Sequence, residues 1–152
     1  MRQADIGDLA FVRELRLRAL LDAPLAFEST YEQKIDWSDE DWARWIHQGV
    51  AFIDDDRGMV RGAVDDDEAD VVWLLSMWVD PRARGRGVGD GLVAAVVDWA
   101  REQQARVVRL DVSMDNAHAR ALYERNGFRP TGREHVAEAH GVLEIEMELP
   151  LF

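Results

Sequence analysis

The segment Val71–Arg101, VVWLLSMWVDPRARGRGVGDGLVAAVVDWAR, reads as a strand, a glycine-rich turn and a helix. Val71, Val72, Trp73, Leu74, Leu75, Met77, Trp78 and Val79 form an apolar run broken only by Ser76, the pattern of a strand covered on both faces of a sheet. Asp80-Pro81 ends it, because proline brings a fixed φ and no N–H for the ladder. From Val88 onward, Leu92, Ala95, Val96 and Trp99 recur at helical spacing and define one apolar face.

A strand that passes through glycines into a helix leaves free backbone N–H groups at the positive end of the helix dipole, and glycine lets a bulky anion approach that backbone. A plain tight connection would use the same glycines. The balance is tipped by Arg82, Arg84 and Arg86, three cations in one turn of a chain whose formal net charge is -12, a placement that suits a polyanion. The Walker A loop is excluded, since no Gly-Lys-Ser/Thr ends the run. The dinucleotide fingerprint fails as well, because Asp90 or Leu92 stands where its last glycine belongs. The spacing Arg84-x-x-Gly87-x-Gly89 instead resembles the R/Q-x-x-G-x-G/A loop of the GCN5-related N-acetyltransferases (GNAT), which holds the pyrophosphate of coenzyme A.

The remaining composition agrees with a globular domain. A length of 152 residues with 47% apolar content suits one domain spanning 1–152 with a substantial core. There are no cysteines, so disulfides and thiolate nucleophiles are excluded. The N-terminal residues lack an apolar targeting core and no run approaches a membrane span, which reads as a cytoplasmic protein without a membrane partner. With 30 acidic against 18 basic residues, nucleic acid is disfavoured and a cationic partner such as an amine is favoured, although surface acid also serves solubility. His47, His118, His135 and His140 lack metal-ligand spacing, so no metal is expected. Trp37, Trp42, Trp45 and Trp99 are read as core.

Taken in order, Met1–Ala4 suits a short strand. A helix from Asp5 to before Pro24 has Leu9, Val12, Leu15 and Ala19 inside and Arg13, Glu14, Arg16 and Arg18 mostly outside. A shorter helix is expected from Leu25 to about Lys34, and a third after Ser38, whose capping box with Asp41 precedes Trp42, Trp45 and Ile46. Val50–Ile53 and Met59–Val64 read as a hairpin, with Asp54-Asp55-Asp56 and Asp65–Glu68 as solvated turns. Ala105–Ser113 is a strand, Asn116–Arg125 a helix stopped by Asn126-Gly127, and Phe128–Val136 with Val142–Leu149 a last hairpin. In its second strand Glu144, Glu146 and Glu148 alternate with Leu143, Ile145, Met147 and Leu149, which predicts one wet face.

The stretch Asn116–Phe128, NAHARALYERNGF, carries the second motif. Alone, Ala119, Leu122 and Tyr123 on one helical face are ordinary core. Aligned with N-x-x-A-x-x-L-Y-x-x-x-G-F, they match the acetyltransferase pattern downstream of its pyrophosphate loop. Leu15-Arg16-Leu17-Arg18-Ala19-Leu20 and Pro24-x-Ala26-Phe27 resemble bacterial members too.

The resemblance implies the GNAT fold of the α/β (α+β) class: a central mixed, mostly antiparallel sheet of six to seven strands with helices on both faces. It implies acetyl transfer from acetyl-CoA to a primary amine, a small molecule or a peptide, by direct attack. Met77, Trp78 and Val79 would lie where two parallel strands splay and their backbone pairs with the pantetheine arm. Gly85, Arg86, Gly87, Val88, Gly89 and Asp90 would wrap the pyrophosphate, with Arg82 or Arg84 reaching an outer phosphate. Asn116 would contact the cofactor's amide arm; as plain chemistry it is an N-cap. Tyr123 would be the general acid, a phenol with a pKa of about 10 protonating a thiolate whose acid has about 8.5. For the general base, Asp111 and Glu28 are both candidates. A non-catalytic acyl-CoA-binding or regulatory module on the same fold is the competing reading, and dimerisation is common among similar proteins.

Overall fold

The computed structural model describes residues 1–138 and 140–151. The elements run β1 (Arg2–Gln3), α1 (Leu9–Asp22), α2 (Tyr31–Ile35), α3 (Asp39–His47), β2 (Val50–Asp54), β3 (Gly58–Val64), β4 (Val71–Val79), α4 (Val88–Glu102), β5 (Val107–Ser113), α5 (Ala117–Arg125), β6 (Arg129–Val136) and β7 (Leu143–Pro150). The seven strands form one sheet in the order β1-β2-β3-β4-β5-β7-β6, in which β4 and β5 are the parallel neighbours. The expected mixed, mostly antiparallel sheet with helices on both faces is what the chain builds.

Two cores flank the sheet. Leu92, Val93, Val96 and Val97 of α4 pack with Val72 and Leu74 of β4 and Val108 and Leu110 of β5 on one face. On the other, Val12, Leu15 and Leu20 of α1 pack with Trp42, Trp45 and Ile46 of α3 against Ile53 and Met59. Trp42 has no exposed surface and meets Trp45 edge to face at 5.6 Å and Trp37 at 4.9 Å. Ser38 caps α3 by accepting from Asp41 N while Asp41 accepts from Ser38 N.

The pairing of β4 with β5 covers only Val71–Trp73 against Val107–Arg109, although β4 runs on to Val79 and β5 to Ser113. Past Trp73 the two strands part. At the same level β4 is bulged: Ser76 and Met77 oppose the single residue Val60, and Ser76 takes φ 56°. A serine in the left-handed region of a strand is strained, and the bulge turns the following backbone toward the opening.

Four expectations are corrected. The helix expected from Leu25 starts only at Tyr31: Pro24–Ala26 is a single 3₁₀ turn and Phe27 is extended, because Thr30 and Gln33 close a capping box that fixes the start there. Arg16, expected outside, is 4% exposed, because α1 is covered both by the sheet and by α2 and α3. The face of β7 expected to be wet is not: Glu144 and Glu146 are buried, and Glu146 is covered by Thr131 of β6, whose hydroxyl donates to it at 2.8 Å. Asp54, read as part of a solvated turn, is also buried, with Arg57 bonded to it at 2.5 Å.

Candidate active site

The parting of β4 and β5 opens a cleft of about 1220 Å³. All of the sequence-derived site residues line it except Arg82 and Arg86. Its walls come from both sides of the gap: the end of β4 and the start of α4 on one, β5 and α5 on the other, and the extended Phe27–Ser29 segment across one end.

At the α4 end, Gly85 and Gly87 take φ +77° and +80°, and the space where their Cβ atoms would stand is open. Gly87 is the N-cap of α4 and supplies no side chain to the first turn, so the N–H groups there face the cleft unsatisfied by any cap. The arginines differ in their engagement. Arg82 is held by Asp80, which accepts its backbone N–H, its Nε at 3.0 Å and its Nη2 at 3.1 Å. Those bonds, with Arg18 beside them, hold the Asp80 carboxyl well below the usual carboxylate range. Arg84 donates to the Val79 carbonyl at 3.0 Å and to Asp22 at 2.9 Å. Asp22 also accepts from Trp78 Nε1 at 2.9 Å, so one carboxylate at the end of α1 ties down the tip of β4 and the loop together. Arg86 is exposed and forms no ion pair among the described residues. Asp90 turns to α5, accepting from Arg125 Nε at 3.0 Å and Asn126 Nδ2 at 2.9 Å.

Across the gap, Asn116 caps α5 by accepting from Ala119 N at 3.1 Å and also faces the cleft. Tyr123 is buried against Phe128, ring centroids 6.0 Å apart, and burial raises its pKa. A phenol so placed stays protonated and keeps its proton to donate.

The far end gathers the acids. Asp111 on β5, Glu144 on β7 and Glu28 of the extended segment all line the cleft, and His135 of β6 joins them, its Nε2 3.2 Å from Glu144 and 3.4 Å from Glu28. The ligating atoms of Glu28, His135 and Glu144 lie within 4.8 Å of one another. Removal from water, then the neighbouring Glu28 carboxyl and Asp111, push Glu144 up to about 7. Asp111 is raised as well, first by desolvation within the concave wall, with Glu146 and Glu28 adding and His135 opposing. Burial would lower His135, but the hydrogen bond with Glu28 and the charges of Asp111 and Glu144 outweigh it and raise its pKa. Sequence reasoning reached Asp111 and Glu28 and missed Glu144, His135 and Asp22. The alternation of Glu144 and Glu146 along β7 was the available signal, read for the wrong surroundings.

Comparison with known proteins is consistent with this geometry. Residues 12–128 match the model of the Acetyltransferase (GNAT) family. Mycothiol acetyltransferase from Beutenbergia cavernae is 39% identical over 79 residues, 42% of this chain and 27% of that protein. Aminoglycoside N(6')-acetyltransferase type 1 from Stenotrophomonas maltophilia is 28% identical over 134 residues, 88% of each chain. The chain spans only 27% to 45% of the length of relatives such as the Beutenbergia protein and an archaeal homologue from Methanocaldococcus jannaschii. A structure of YncA from Salmonella typhimurium with its cofactor acetyl-CoA shares the fold at TM-score 0.80 and 20% identity, covering 99% of this chain and 92% of that one. No helix among the described residues is long and apolar enough to cross a membrane.

Proposed function

The chain belongs to the acetyltransferase (GNAT) family, and from that premise we propose that it moves an acetyl group from acetyl-CoA to a primary amine, with Tyr123 as the general acid. The observation that carries this reading is a single cleft, opened by the parting of β4 and β5, with an uncapped helix N-terminus at one end and a carboxylate cluster at the other. The residues fit the co-substrate: two glycines with positive φ and open space in place of Cβ leave room for a pyrophosphate against the first turn of α4. Arg86, exposed on the loop just outside the cleft and without an ion pair among the described residues, is free to swing toward an outer phosphate.

When bound, acetyl-CoA supplies the acetyl group as a thioester. The work of the chain is then to place backbone donors and to move protons. The bulged end of β4 presents backbone N–H and C=O groups that β5 leaves unpaired, and these suit an amide-bearing arm and a developing oxyanion. Tyr123 holds a proton for the departing sulfur. An alkylammonium must lose a proton before its nitrogen is nucleophilic, and Glu144, pushed up to about 7, is matched to accept it near neutral pH. Asp111 and Glu28 hold the cation beside it. Aminoglycosides, named for one relative, fall within the class of amines these acids would accept.

Calorimetry with acetyl-CoA followed by thiol release on adding amines tests the reading. The expected result is micromolar binding and turnover on at least one amine. Binding without turnover on a wide amine panel would favour the non-catalytic acyl-CoA-binding module, and no binding at millimolar acetyl-CoA would overturn the assignment of the Arg84–Gly89 loop.

A further inference from the structure

The acceptor end of the cleft also holds two buried cations that no carboxylate among the described residues neutralises. Arg16 of α1 is 4% exposed and Arg61 of β3 is 6% exposed, and both line the cleft. Nε and Nη1 of Arg16 and Nε of Arg61 have no hydrogen-bond partner, and among the described residues no carboxylate bonds either guanidinium. Their surroundings are aromatic. Arg16 lies over Phe27 at 4.4 Å and over Trp45 at 5.5 Å, Arg61 lies over Trp45 at 4.3 Å, and Arg61 Nη2 donates to the Trp45 carbonyl at 3.0 Å. Burial and the charge of Arg61 push Arg16 down to about 9, and burial alone pushes Arg61 down to about 10. Lys34, half-buried with its ammonium 3.4 Å from the Trp37 ring, is lowered first by burial and then by the same two arginines.

Buried charge without a counter-ion is costly, and stacking on rings recovers only part of that cost. In a chain with 30 acidic residues, leaving both arginines unpaired at a cleft wall suits an anion that arrives from solution. The carboxylate cluster sits beside them: Glu28 is the residue after Phe27, on whose ring Arg16 rests. We infer that Arg16 and Arg61 form a subsite for the carboxylate of the acceptor, so that the acetylated amine belongs to a free amino acid, its ammonium at Glu28, Asp111 and Glu144 and its carboxylate at the two guanidiniums. This rests on the acetyl-transfer reading for the reaction, but the binding of a carboxylate at the subsite does not. Guanidinium forks match carboxylate geometry in two parallel bonds, which makes the discrimination steep.

The probes are the twenty L-amino acids, each paired with its α-carboxamide, followed by thiol release and, without acetyl-CoA, by quenching of tryptophan fluorescence, since Trp45 touches both arginines. At least one amino acid is expected to bind and be acetylated with a kcat/KM at least tenfold above that of its carboxamide. That ratio is expected to collapse toward one in Arg16→Met and in Arg61→Met and to be partly kept in Arg16→Lys, while acetyl-CoA affinity is unchanged. Because methionine removes an unpaired buried charge, Arg16→Met is also expected to raise the melting midpoint by roughly 5 °C. A purely structural arginine would do the reverse, lowering the midpoint and leaving the ratio alone. Carboxamides that work as well as acids, or a carboxylate preference that survives both methionine variants, would overturn the inference. So would wild-type protein that binds acetyl-CoA yet shows neither quenching nor turnover with any amino acid. Loss of acetyl-CoA binding in the wild type with carboxylate quenching retained would instead overturn the acetyl-transfer reading and leave the subsite standing.

Discussion

Replacing Glu144 by glutamine tests the electrostatics of the acceptor end without any knowledge of the acceptor. Glu144 moves from an ordinary 4.5 to about 7 on folding, so between those values the unfolded chain has lost a proton that the folded protein keeps. Stability from this group is therefore complete below pH 4.5, falls as pH rises, and levels off above about pH 7. At about 1.36 kcal/mol per unit the full loss would be about 3 kcal/mol. The carboxyl lines an open cleft, so screening reduces the expectation to roughly 1–3 kcal/mol. Glutamine keeps the size of the side chain and removes the titration. In urea denaturation at pH 5, 6, 7 and 8, the variant should match wild type at the acid end and exceed it by roughly that amount at pH 8. His135 contributes in the same direction, since its raised pKa gives stability that is lost as pH rises, and because the Glu144 charge helps raise it the variant also reduces that contribution. A difference between the two that stays constant from pH 5 to 8 would refute the claim that Glu144 is held protonated. In the wild type, the alkaline rise of kcat/KM should report the same ionisation near 7, and the variant should lose it.

Tyr123→Phe should keep acetyl-CoA affinity in calorimetry and lower turnover by about 10²–10⁴-fold, and an unchanged rate would remove the general-acid role. Gly87→Ala meets no atom within 4 Å but must hold φ at +80°, so the expected cost in denaturant titration is about 1 kcal/mol, with weaker acetyl-CoA binding. An alanine variant as stable as wild type would mean that the loop relaxes out of the left-handed region.

The elements at the glycine-loop end of the cleft were legible because their signals are local. The apolar run Val71–Val79, the glycines after it and the face of Leu92 and Val96 each depend on neighbours within a few residues, and the structure keeps them in those states. The carboxylate end depends on tertiary cover, which spacing along one element does not report. Alternation in β7 correctly grouped Glu144 with Glu146, but two residues that share a face can look onto bulk water or onto a closed wall. In α1, Arg16 lies one turn beyond Val12 and so shares its inward face, and it was its charge that suggested an outward position. Glu28 was reached as a candidate but expected on a helix; the extended backbone at Phe27 is what brings it to the cleft.

The parting of β4 and β5 bears on how the protein behaves as a thermodynamic system. A sheet whose two halves share three residue pairs at the centre is incomplete by its own hydrogen bonds, and whatever occupies the gap becomes part of the fold. Occupancy then adds RT ln(1 + [L]/Kd) to the unfolding free energy, about 2.7 kcal/mol at a hundredfold excess over Kd. The folded population, and with it resistance to proteolysis, should track the supply of the ligand that closes the sheet.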